Sequence, residues 1–105
     1  MKKELQIYEL TLFFKVNLND LELKTKIEKY KELLIGKGSQ VMIQNNGKIS
    51  LAYPIQKFDT ATYVQIFHLS NGSLIKQLNT EIQRDEEILR SVTTMICKRR
   101  ENFHI

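Results

Sequence analysis

The spacing of apolar residues changes period along this chain, and the order of those changes leaves few folds open. In residues 7–16, Tyr8, Leu10, Leu12 and Phe14 fall on one face at period two, with Ile7, Glu9, Thr11 and Phe13 on the other. That alternation is the mark of a strand, and the apolar ends of its second face predict a central place in a sheet. From Asn19 the period lengthens to that of a helix. Asn19 with Glu22 three residues on is an N-cap and capping-box pattern, and Asp20 adds charge at the favourable end of the dipole. Leu23, Ile27, Tyr30 and Leu34 then form the inward stripe, while Lys24, Lys26, Glu28, Lys29, Lys31 and Glu32 point largely outward. Gly36 and Gly38 supply the stop.

Alternation returns in residues 40–55, but broken. Residues 41–44 form one piece, Asn45-Asn46-Gly47 signals a turn or bulge, and residues 49–53 form a second piece. Pro54, the one proline, has no N–H for a ladder and marks an edge or a strand end. Residues 57–60 read as a polar connection and residues 63–69 as the next strand. Asn71-Gly72-Ser73 opens a second helix whose stripe is Leu74 or Ile75, Leu78 and Ile82. It ends in Arg84-Asp85-Glu86-Glu87, a charge run that reads as a solvated corner. Residues 88–90 connect to a last strand over 91–98, with Val92, Met95 and Ile96 as its apolar content.

Strand, helix, strand, strand, helix, strand is the α+β, ferredoxin-like βαββαβ order: a four-stranded antiparallel sheet with two helices on one face. The pattern predicts one domain over residues 1–98 and a flexible tail over 99–105. With 105 residues, a second domain has little room.

Composition removes several functional classes. The net charge of +4, from 16 Lys and Arg against 12 Asp and Glu, suits a polyanionic partner without requiring one. No apolar run is long enough for a membrane span, and the N-terminal residues have no signal-peptide or transit-peptide pattern. Cys97 is the single cysteine, so no disulfide forms within the chain. His68, His104 and Cys97 have no metal-ligand spacing, no nucleophile elbow or phosphate-cradling loop is present, and neither a cofactor, a metal nor a catalytic residue is expected.

Three classes of protein with this fold fail on their motifs. An acylphosphatase needs a glycine and an anion-holding arginine between first strand and first helix, where this chain has Asn17-Leu18-Asn19-Asp20. A ligand-binding regulatory module of the same fold, the alternative reading, would need Gly-rich strand-to-helix turns that are missing at the same place. An RNA-recognition motif needs its glycine-containing aromatic run; residues 61–67 lack both glycines and the leading base. Tyr63 and Phe67 accordingly read as core or sheet-surface packing.

Four segments resemble one family, the bacterial-type small-subunit ribosomal protein numbered six. They are Tyr8-Glu9, then Leu51-Ala52-Tyr53-Pro54-Ile55 with Lys57 just after, Tyr63 at a strand start, and Asp85-Glu86-Glu87-Ile88-Leu89-Arg90. The resemblance spans about residues 5–98 and implies a structural, non-enzymatic role. It implies binding to the central domain of small-subunit rRNA, partnership with the eighteenth small-subunit protein, and a place in the ribosome of a plastid stroma or a bacterial cytoplasm. A composition with 12 Lys to 4 Arg and 12 Ile, typical of an AT-rich genome, suits either source.

On that resemblance the residues expected to contact RNA are Lys2, Lys3, Lys57, Arg84 and Arg90, with Tyr53 as a stacking or packing residue. Arg90 is equally placed to pair with Asp85 or Glu86. The second strand and the tail are the expected partner surface, through Lys48, Phe103 and Ile105. Many relatives carry arginines where this chain has Lys48-Ile49-Ser50, so Lys48 alone keeps a charge there.

Overall fold

The computed structural model describes residues 6–98. Its elements run β1 (Gln6–Phe14), α1 (Asp20–Gly36), β2 (Val41–Ile55), β3 (Phe58–Ser70), α2 (Gly72–Gln83) and β4 (Ile88–Lys98). The sheet order is β2-β3-β1-β4, with antiparallel pairs throughout. This is the ferredoxin-like arrangement the periodicity predicts, and β1 is central, bonded on both sides. Lys2, Lys3, Phe103, Ile105 and the expected tail lie outside the described residues.

The two helices cover one face of the sheet. Leu10, Leu12 and Phe14 of β1 and Val64 and Ile66 of β3 are fully buried beneath them. Leu23, Ile27, Tyr30 and Leu34 of α1 and Leu74, Leu78 and Ile82 of α2 close the core from above. The α1 stripe is the one its spacing predicts, and so is its start. The Asn19 side chain accepts from the Glu22 N–H at 2.8 Å, and the Glu22 carboxylate accepts from the Asn19 N–H at 3.1 Å. The Asn71 side chain likewise caps α2 by accepting from the Leu74 N–H at 3.0 Å.

The second strand is a single element interrupted where Asn45-Asn46-Gly47 signals it, by a bulge rather than a turn: Asn45 pairs with Val64 and Lys48 with Thr62, so one extra residue is absorbed. Gly47 takes a φ of +77° there, and its N–H is held by the Asn45 side chain at 2.9 Å. Three other expectations need correction. The third strand begins at Phe58 instead of Tyr63, because pairing with β2 organises residues that look polar and loop-like on their own. The last strand begins at Ile88, and both Ile88 and Leu89 are buried rather than part of a connection.

The third correction concerns Asp85, which is no solvated corner. Its carboxylate is buried and accepts from the Lys26 ammonium at 2.8 Å, the Tyr30 hydroxyl at 2.8 Å and the Glu87 N–H at 3.0 Å. Lys26, expected to point outward, reaches inward instead, and Arg90 makes no ion pair with Asp85. Burial opposes ionisation of Asp85, but the bonds from Lys26, Glu87 and Tyr30 and the charge of Lys26 outweigh it, holding the carboxyl below its usual range. The Tyr30 hydroxyl is pushed up by its own burial and by Asp85. One carboxylate thus fastens α1 to the corner between α2 and β4.

A second buried polar chain lies beneath β3. Ser39 Oγ donates to the Leu69 carbonyl at 2.7 Å, which commits its proton. Ser70 Oγ, 2.9 Å away, must then donate to Ser39, and His68 Nδ1, 2.6 Å from Ser70 Oγ, must donate to Ser70. His68 is 2% exposed, and burial lowers its pKa to about 4. It is a core histidine that folds neutral.

Asp85→Ala is expected to lower stability by about 3 kcal/mol near neutral pH, since it strands the Tyr30 hydroxyl and the Lys26 charge. Because the folded carboxyl titrates below its unfolded value, that contribution is present above about pH 4 and fades as the pH falls further; thermal melting of both proteins across pH checks this. His68 acts in a different window. The unfolded histidine binds its proton near 6.5 and the folded one near 4, so stability should decline as the pH falls between those values. Denaturant titrations of His68→Phe should show that stretch of the profile flattened.

Candidate nucleic-acid interface

The run Leu51-Ala52-Tyr53-Pro54 forms an arch in an edge strand. Ser50 pairs with Thr60 and Ile55 with Phe58, so these four residues of β2 stand opposite Asp59 alone. Pro54 fits there because no ladder bond is asked of it, and Tyr53 projects from the arch 82% exposed. The hairpin then closes in two residues, Gln56 and Lys57, with φ of 51° and 72°. Positive φ at both central positions is the signature of a type I′ turn, which normally takes Asn-Gly. Here it carries two long side chains, at a cost of about 1 kcal/mol or more for each left-handed residue. The outcome is an exposed Lys57 at the tip of the hairpin.

The strand register gathers further cations at this end of the sheet. Arg90 of β4 pairs with Phe13 of β1, which pairs in turn with Tyr63 of β3. Arg90 is exposed, and among the described residues it makes no ion pair. Lys15, which sequence reasoning did not single out, places its ammonium 5.8 Å from the centre of the Phe58 ring. Its one signal in the sequence is a base directly after the last apolar residue of β1.

The other expected residues are more scattered. Arg84 caps the C-terminus of α2 and lies 3.7 Å from Glu81, an exposed pair of little energetic weight. Lys48 is exposed on β2 just past the bulge. The structure therefore brings Tyr53, Lys57 and Arg90 to one end of the sheet, with Lys15, and leaves Arg84 on the helical layer. At the opposite end a groove of about 590 Å³ is walled by Ile7, Val41, Met42, Phe67, Leu69 and Ile96. Met42 there is 64% exposed on the edge strand. Among the described residues no cluster of His, Cys, Asp and Glu fits a metal ion, and no helix is long and apolar enough to cross a membrane.

A ferredoxin-like sheet of this kind is shared by proteins of many functions, and comparison with known proteins supplies the class. The sequence profile of the family described as Ribosomal protein S6 matches residues 7–95, and the chain belongs to that family. It is 36% identical over 90 residues to small ribosomal subunit protein bS6 of Aquifex aeolicus, an alignment covering 84% of this chain and 82% of the relative. It is 35% identical over 94 residues to bS6c of Guillardia theta, covering 89% and 98% of the two chains. The crystal structure of 30S ribosomal protein S6 from Thermotoga maritima superposes with a TM-score of 0.82 at 22% identity, over 88% of each chain. The family is one of structural proteins of the small ribosomal subunit, not of enzymes, with bacterial and plastid members. The ribosome of a bacterial cytoplasm or a plastid is accordingly its location.

The turn offers a clean test of its own strain. Lys57→Gly should stabilise the chain by about 1 kcal/mol, because glycine takes positive φ without steric cost. Lys57→Ala, which keeps the β-carbon, should leave the melting temperature nearly unchanged.

Proposed function

We propose that this protein binds the central domain of small-subunit rRNA and does so together with the eighteenth small-subunit protein. The observation that carries this reading is the hairpin end, where a strained turn presents Lys57 four residues after the exposed Tyr53. Lysine on an exposed turn suits phosphate contact, and strain kept at a surface turn is commonly kept for function. Arg90 adds a second cation at the same end, and Lys2, Lys3 and Arg84 extend the set.

The net charge of +4 argues for shared rather than solitary binding. A protein making few phosphate contacts holds free RNA weakly, and a co-binding partner supplies the remainder. The edge strand β2 is the surface we assign to that partner, with Lys48 on it and Phe103 and Ile105 from the C-terminal residues. Its outer backbone groups are available for strand addition, and the exposed Met42 and the apolar groove adjoin it.

Sedimentation of small-subunit rRNA with and without the eighteenth protein is the test. Wild-type chain should sediment with RNA far better when the partner is present. Lys57→Ala should weaken that association, with a salt slope shallower by about 1, and leave the melting temperature unmoved. Recovery of the wild type only as free protein, at low salt and with partner present, would overturn the reading.

A further inference from the structure

Phe13 and Tyr63 are directly paired across β1 and β3 and stand on the sheet face away from the helices. Their ring centres are 5.4 Å apart and their planes 15° from parallel. That distance is close to the spacing of neighbouring strands, roughly 4.8 Å, so the stack runs across the sheet rather than along it. One flank of the stack is Arg90, opposite Phe13 on β4. The other flank is β2, and there the stack meets the bulge.

Tyr63 lies between Thr62 and Val64, whose β2 partners are Lys48 and Asn45, so its own neighbours across the gap are the unpaired Asn46 and Gly47. Asn46 is drawn aside, donating through Nδ2 to Gln65 Oε1 at 3.0 Å. Gly47 has no side chain, and a β-carbon built on it would meet nothing within 4 Å. The outer face of Tyr63 thus opens onto a place where the neighbouring strand offers backbone and free space.

We propose that this is a stacking slot for one unpaired RNA base, laid on Tyr63 over Gly47 as a third layer of the Phe13–Tyr63 stack, with Arg90 drawing an adjoining phosphate. The inference rests on the RNA-binding reading above and deepens it by adding a contact to a base. Charge complementarity selects the occupant. Arg90 flanks the row directly, while the acids of these two strands, Glu9 and Asp59, are each four residues from it, about 13 Å along the strand. Glu9 is also engaged, accepting from Gln65 Nε2 at 2.6 Å and from Thr11 Oγ1 at 3.2 Å. Aromatic stacking accepts any base through its π-face, so the slot needs none of the glycine-containing signature that this sequence lacks.

The full-length protein is titrated into a single-stranded oligoadenylate hexamer containing one 2-aminopurine, whose fluorescence is quenched on stacking. Wild type should quench the probe on binding, and a blunt RNA duplex should not compete. Tyr63→Leu and Phe13→Leu should each weaken binding about tenfold or more and remove the quench at saturation. Arg90→Ala should weaken binding while the quench at saturation remains. The proposal is overturned if wild type leaves the probe unquenched, or if both leucine variants, shown folded by melting, bind within twofold of wild type. Should one variant fail to fold, the other and the wild-type quench decide. A chain that sediments with small-subunit rRNA but leaves the probe unquenched loses the slot and keeps the function proposed above. Changes in the leucine variants seen only in binding to the eighteenth protein would make the face a protein contact and overturn the slot.

Discussion

The register of β1 is the constraint on which the rest of this molecule depends. Its side chains alternate at period two, so a slip of one residue would exchange its two faces. Leu10, Leu12 and Phe14 are fully buried under the helices, which leaves no alternative register at comparable energy. Once these three point inward, Ile7, Glu9, Thr11 and Phe13 are obliged to point outward. Bonding to β3 and β4 on its two sides then brings Tyr63 and Arg90 beside Phe13. Core and candidate interface are consequences of one pairing pattern, and a substitution that loosened the first would also scatter the second.

Much of this was legible in the sequence wherever the controlling interactions are local. Asn19, Glu22 and the Leu23-to-Leu34 stripe lie within a few turns of one another, and α1 forms where they predict. The hairpin tip was not legible, because Gln56 and Lys57 carry none of the usual turn chemistry. Their positive φ is imposed by the pairing of Ile55 with Phe58. Asp85 was misread for a related reason. A run of three acids looks solvated until the fold brings Lys26 and Tyr30 to it across more than fifty residues of chain. Of the candidate interface, Tyr53 and Lys57 were visible through the Leu51-to-Lys57 run, whereas the row from Arg90 to Gly47 exists only once the strand order is known.

The two buried polar sites divide the work differently. Asp85 gathers three donors around a charge and joins α1 to the corner before β4, a tie between distant segments that apolar packing alone would leave free to slide. The chain from His68 through Ser70 and Ser39 to the Leu69 carbonyl is neutral and directional, each hydroxyl accepting from one neighbour and donating to the next. It fixes the tautomer of a histidine that never charges while folded near neutral pH.

The interruptions of β2 have a consequence beyond display. A free edge strand of 15 residues is a template on which a second copy of the same strand can grow a sheet, the usual route to fibrous aggregates. In this chain the Gly47 bulge and the Pro54 arch leave no uninterrupted ladder longer than the five residues from Val41 to Asn45. A newly made molecule waiting for a place in a particle is thereby kept from polymerising with its own kind, without a covering helix or a run of edge lysines.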